Sequence, residues 1–172
     1  MVRPLTDLHK SWQLSSYRES VLEQLFCAEL LQAAWVGGYD PVEISRPFVD
    51  FQGYDLELTV GRVSRHVQLK ATSRQIALHE ALEAKPAACM INLRPAAVDD
   101  RTVFTYDFFG SPPGQPLDLT GLKPAKKSTN SLQADGSWSK NERLHHRIVP
   151  ITKCDRGLTI EQLLTLLFGA PG

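Results

Sequence analysis

Asp55 and the pair Gln68-x-Lys70 stand in the run Val49 to Thr72, VDFQGYDLELTVGRVSRHVQLKAT, whose residue types suit metal-assisted hydrolysis of a phosphodiester. A carboxylate and an amide carbonyl are oxygen donors for a hard divalent cation, and a lysine activates water or offsets charge on a phosphate. Alternation assigns the faces. Leu56, Leu58 and Val60 fall on one side of a first strand, with Asp55, Glu57 and Thr59 on the other. In a second strand Val67 and Leu69 point one way and His66, Gln68 and Lys70 the other. Gly61-Arg62 supplies a turn between them. Paired as a hairpin, the two strands gather an acid, an amide oxygen and an ammonium on one face. The same pattern also fits an ordinary amphipathic hairpin whose polar face meets water.

Upstream, Ser15 to Trp35 has helical periodicity, with Val21, Leu22, Leu25, Phe26, Leu30 and Ala33 as an apolar stripe and Gly37-Gly38 as its stop. Glu29 falls within the apolar arc, and Glu19 and Glu23 lie along one edge. A carboxylate near an apolar face needs a partner or a metal, because burying it alone costs several kcal/mol. Glu29 is expected to pair with a buried Arg or a backbone donor.

The hairpin resembles the core motif of the PD-(D/E)XK nuclease superfamily: an Asp, a hairpin, then an acid, any residue and Lys. Asp55 matches the first acid and Lys70 the lysine, while Gln68 stands where the second acid usually stands. Several branches of that superfamily use Gln-x-Lys in the same way. The order helix, strand, Asp-bearing hairpin and Gln-x-Lys covers about residues 15 to 72. The resemblance implies a restriction-endonuclease-like fold, Mg2+ or Mn2+ as cofactor and nucleic acid, in the first place DNA, as substrate. It implies Asp55 as bridging ligand, Gln68 as a second ligand through its side-chain oxygen, and Lys70 as the group that positions or deprotonates water. A glutamate on the preceding helix commonly reaches the same metal in that superfamily, which makes Glu23 the first choice here and Glu19 the second. Glu57 and His66 share the polar face of the hairpin and are additional candidates. The neutral Gln68 brings no charge, so metal affinity should be low.

Composition frames these readings without selecting one. The chain's 172 residues suffice for one domain with a real core, and 42% hydrophobic with 22% charged residues is ordinary for a globular protein. No apolar run approaches the roughly 20 residues a membrane span needs. Cys27, Cys89 and Cys154 are odd in number and widely spaced, which suggests free thiols in a reducing cytoplasm. Walker, Rossmann, Cys-x-x-Cys and Gly-x-Ser-x-Gly patterns are absent from the sequence.

Basic residues concentrate between Lys123 and Arg147. Lys123, Lys126, Lys127, Lys140, Arg143 and Arg147 face only Asp135 and Glu142, with Trp138 as one aromatic surface. Such a segment suits contact with phosphates and stacking on a base. The alternative is a solvated loop that folds back on the sheet. The neighbouring His145 and His146 match no metal motif, since adjacent residues of a strand point to opposite faces.

The remaining elements read as scaffold. Leu78 to Lys85 predicts a short helix; Ala87 to Leu93, Thr102 to Phe109 and Ile148 to Ile151 predict strands. Thr159 to Phe168 predicts a terminal helix with Thr159 and Gln162 as a capping box and Gly169 as stop. Any exposed apolar face of that helix would serve a homodimer. The expected fold is a single α/β domain with a mixed central sheet flanked by helices, residues 1–14 being an extension and 111–147 a basic loop region. Two further functional classes remain open beside the nuclease. One is a module of the same fold that has lost its chemistry and binds nucleic acid or a protein. The other is an unrelated α/β domain holding a small anion through Lys70 and Arg74.

Overall fold

The computed structural model describes residues 15–48, 53–72, 75–98, 101–125, 128–132, 138–142 and 145–172. The expected first helix forms as α1 (Ser15–Val36), burying Leu22, Phe26, Cys27, Leu30 and Ala34. It ends where Gly38 adopts φ +77°, and the Gly37 and Tyr39 N–H groups cap the carbonyls of Ala33 and Ala34. Next come β1 (Val42–Ser45), β2 (Leu56–Val60) and β3 (Val63–Lys70), an antiparallel meander. The β2–β3 turn is Gly61-Arg62, with Gly61 at φ +55°. Positive φ at the first position of a two-residue loop matches the strand twist and is cheapest for glycine.

Residues 78–85 depart from expectation. Ile76 and Leu78 are buried in a strand, β4 (Ile76–His79), and only Glu80–Ala84 coils, as a short 3-10 helix. β5 (Cys89–Val98) then pairs parallel with β3 and antiparallel with β6 (Arg101–Gly110). β7 (Lys123–Pro124), β8 (Ser128–Leu132) and β9 (Trp138–Glu142) follow, β8 and β9 forming a hairpin of their own. The expected strand near 148 is β10 (His146–Val149), and residues Ile151–Lys153 are 3-10 helix instead. β11 (Asp155–Leu158), not anticipated, pairs with β6 and leads into α2 (Ile160–Phe168), whose Thr159–Gln162 capping box and Gly169 stop are as expected.

The result is an α/β domain built on a mixed six-stranded sheet in the order β1-β2-β3-β5-β6-β11. One face of that sheet carries Leu56, Leu58, Val67, Ile91, Leu93, Phe104, Tyr106 and Phe108 against both helices. The opposite face carries Met90 and is covered by the sheet β4-β10-β7 and by Leu117, Leu119 and Leu122. Thus among the described residues both helices lie on one face, rather than flanking the sheet. The region 111–147 supplies strands and three buried leucines, so it is not merely a loop. Leu163, Leu164 and Leu167 of α2 are all buried, which leaves Glu161, Gln162 and Thr165 as the face available to a second copy. No described helix is long and apolar enough to cross a membrane.

Arg65, on the helix-facing side of β3, is completely buried. Its guanidinium donates to the carbonyls of Leu166 and Leu167 at 2.8 Å, Ser111 at 2.7 Å and Ala87 at 3.4 Å. The first two are last-turn carbonyls of α2, where a cation is favoured by the helix dipole. This residue ties the hairpin to the chain's C-terminal helix.

Candidate functional site

Asp55 immediately precedes β2. Its N–H donates to Val67 O at 2.9 Å, and its Oδ2 accepts from Leu69 N at 2.6 Å. The two bonds bracket Gln68, so the acid is fixed beside the Gln-x-Lys strand by backbone geometry. Gln68 is almost fully buried, and its Oε1 accepts from His79 N at 3.1 Å. An amide is tolerated there because a hydrogen-bonded neutral group is far less costly to bury than a charge. Lys70 sits two residues beyond, opposite Asn92, which in turn opposes Asp107.

The end of that strand is clamped by a buried polar network. Asn92 Oδ1 accepts from Thr72 N at 3.0 Å, and Asn92 Nδ2 donates to Thr72 O and to Asp107 Oδ2, both at 3.1 Å. Arg94 Nε donates to the same Asp107 oxygen at 2.5 Å, and Gly157 N donates to Oδ1 at 3.3 Å. Asp107 is fully buried, so this ion pair and its hydrogen bonds offset the cost of removing a carboxylate from water.

A cavity of about 490 Å³ opens over these groups, and Asp55, Gln68, Lys70, Glu19 and Glu23 all line it. Five of the seven candidates for metal and catalysis therefore meet in one place. Glu23 is already paired, its Oε1 accepting from Arg46 Nε at 2.7 Å. Arg18, His79 and His146 complete the polar lining. Reading 78–85 as helix concealed His79; the signal that would have found it is the alternation Ile76-x-Leu78-x. His146, the first residue of β10, comes from the adjacent-histidine pair set aside above, and its neighbour His145, in the preceding turn, does not line the cavity.

Glu57 and His66 do not join the site. They oppose one another on β2 and β3, where Glu57 accepts from Ser45 Oγ at 3.5 Å. His66 Nδ1 donates to Pro86 O at 2.9 Å, and its ring meets Tyr54 edge-on at 4.8 Å. Glu29 also lies elsewhere, beside the buried Tyr106 hydroxyl rather than an Arg or backbone donor. Burial pushes its carboxyl up, partly offset by that hydroxyl, while burial and the Glu29 charge push Tyr106 up. The thiols Cys27, Cys89 and Cys154 are free, and burial raises Cys89 to about 12.

No family model, curated protein or solved structure matches the chain. No cluster of three or more His, Cys, Asp or Glu side chains suited to a metal occurs among the described residues. What the cavity offers is an oxygen set: the Asp55 carboxylate, the Gln68 amide oxygen, and Glu19 or Glu23 across from them. Mg2+ keeps several of its waters and is often held through one or two carboxylates, so this set fits a weakly held hard cation.

Of the basic segment, Lys123 is exposed on β7 and Trp138 and Lys140 lie on β9. Arg147 Nε is bound to Glu80 Oε1 at 2.7 Å, a pair that links β10 to the 3-10 helix. Lys126, Lys127 and Arg143, together with Arg74, lie outside the described residues.

Proposed function

We propose that the protein is a metal-dependent nuclease hydrolysing phosphodiester bonds of DNA, with Asp55, Gln68, Lys70 and a helix glutamate as its active site. The observation that carries this reading is the meeting of Asp55, Gln68 and Lys70 of the β2–β3 hairpin with Glu19 and Glu23 of α1 around one cavity. An amphipathic hairpin with a solvated polar face would not bury its glutamine or bracket it with an aspartate. Further support comes from the chain order, in which a helix, a strand and the Asp-bearing hairpin precede Gln-x-Lys, as in the PD-(D/E)XK superfamily.

In this reading Asp55 and Gln68 would hold Mg2+ or Mn2+ through oxygen, and Glu23, or Glu19 on the same helix, would contribute directly or through water. A bound cation would supply Lewis acidity and a more acidic water. Lys70 positions the attacking water or accepts its proton, and its charge favours the phosphate. Lys123 and the hairpin β8–β9 would then meet the strand's phosphates, with affinity that falls with salt.

The second reading, a non-catalytic nucleic-acid-binding or protein-binding module, is favoured by one observation: Gln68 Oε1 already serves as acceptor for His79 N. Thermal melting against Mn2+ separates the two. At a metal concentration ten times its Kd, the parent should gain about 1.4 kcal/mol. Asp55→Asn should show no metal-dependent shift. A parent whose melting is indifferent to Mg2+ and Mn2+ would favour the non-catalytic module.

A further inference from the structure

His79 enters the cavity from β4, across from the hairpin, and its position is over-determined. Its backbone N–H is bound to Gln68, and its Nδ1 accepts from Ala81 N at 3.1 Å. Its ring meets His146 edge-on, with centroids 5.0 Å apart. Gly53, two residues before Asp55, passes so close that a Cβ there would lie 3.1 Å from His79 Cβ and 3.2 Å from its Nδ1. Gly53 also has φ +76°, so both the backbone conformation and the close approach favour glycine at this point.

The Nδ1 bond decides the tautomer. An imidazole nitrogen that accepts from a backbone N–H carries no proton, so in the neutral ring the proton is on Nε2. Nδ1 faces Ala81 and the Gly53 backbone, and Nε2 is the donor at the opposite edge of the ring. We propose that His79 is a substrate-contacting residue of this site, its Nε2–H donating to a non-bridging oxygen of a phosphodiester in a nucleic-acid strand. The proposal rests on the phosphodiester reading of the cavity. Lys70 and Arg18 line the same space and supply charge, while the histidine supplies a fixed direction. Its direct tie to Gln68 couples phosphate contact to the oxygen set that would hold the cation.

Two substitutions separate contact from folding. His79→Asn retains an acceptor able to cap the 3-10 helix, as asparagine does well, but has no donor at the Nε2 position. His79→Gln reaches about as far as Nε2 and restores a donor. The probe is the thymidine dinucleotide TpT, whose only phosphate is an internal diester, titrated in EDTA and followed by ring 15N spectra and by affinity. In the parent, the spectrum should place the proton on Nε2, and TpT should move that resonance. His79→Asn should bind TpT about tenfold or more weakly at unchanged melting temperature, as for a hydrogen bond to a charged group, and His79→Gln should recover most of the loss. The proposal is overturned if the proton is on Nδ1, if the parent does not bind TpT, or if His79→Asn binds it as tightly as the parent. Inorganic phosphate competing as well as TpT, with equal loss in His79→Asn, would also overturn it, by showing a free-phosphate site. If TpT moves the His79 resonance and the parent still cleaves nothing under Mg2+ or Mn2+, the contact stands and the nuclease reading falls.

Discussion

Lys70→Met should lower Mg2+-dependent cleavage of DNA by about 10²- to 10⁴-fold, the usual contribution of a positioned proton-transfer group. Lys70 shares its cavity with Asp55 and Gln68, and its strand is held on both sides, by β2 and by β5. Methionine keeps an unbranched apolar stem, with sulfur in place of one methylene, and lacks the ammonium. The fold should therefore survive, since the lysine is half-buried and the residues that clamp the strand end are Asn92 and Asp107. Single-turnover cleavage with parent and variant at equal Mg2+ checks this. A variant that cleaves as fast as the parent would remove Lys70 from the chemistry, whereas one that fails to melt cooperatively would make its role structural.

Arg65→Ala should be the most destabilising single change in the hairpin, costing about 3–5 kcal/mol in urea unfolding. The substitution strands four carbonyls that the guanidinium now satisfies and leaves a void beside Phe108, whose ring lies 5.9 Å from the guanidinium carbon. Two of those carbonyls end α2, so the C-terminal helix should loosen first and show early hydrogen exchange. Burial disfavours the charged form, yet the guanidinium remains protonated because arginine's ordinary value is so high. The stabilisation should accordingly be flat across the neutral range. A cost below about 1 kcal/mol, within the range of surface substitutions, would contradict this role.

Legibility in the sequence followed the range of the determining interaction. Period-two alternation placed Leu56, Leu58 and Val67 in the core and Asp55, Gln68 and Lys70 on the other face, because strand geometry is local. The Thr159–Gln162 capping box was equally legible, being four residues of self-contained hydrogen bonding. The segment LHEALEAK misled because its propensity is helical. Ile76 and Leu78 instead pair with Val149 and Arg147 of β10, and that long-range ladder outweighs propensity. His79 was lost with it. Arg65 carries no local sign of its role, since its partners lie at Ala87, Ser111, Leu166 and Leu167. Likewise Glu57 and His66 share the alternation of the site residues and still fall outside the cavity, because period two fixes a face and not a position along it.

Metal-dependent cleavage tests the central claim most directly. Supercoiled plasmid and labelled single- and double-stranded oligonucleotides are incubated with the parent and with Asp55→Asn, in EDTA, Mg2+ and Mn2+. The account predicts strand scission by the parent in Mg2+ or Mn2+, none in EDTA, and none by Asp55→Asn under any condition. It further predicts that the variant melts as cooperatively as the parent in EDTA. Scission that persists in Asp55→Asn, or a well-folded parent that cuts no substrate with either metal, would contradict it.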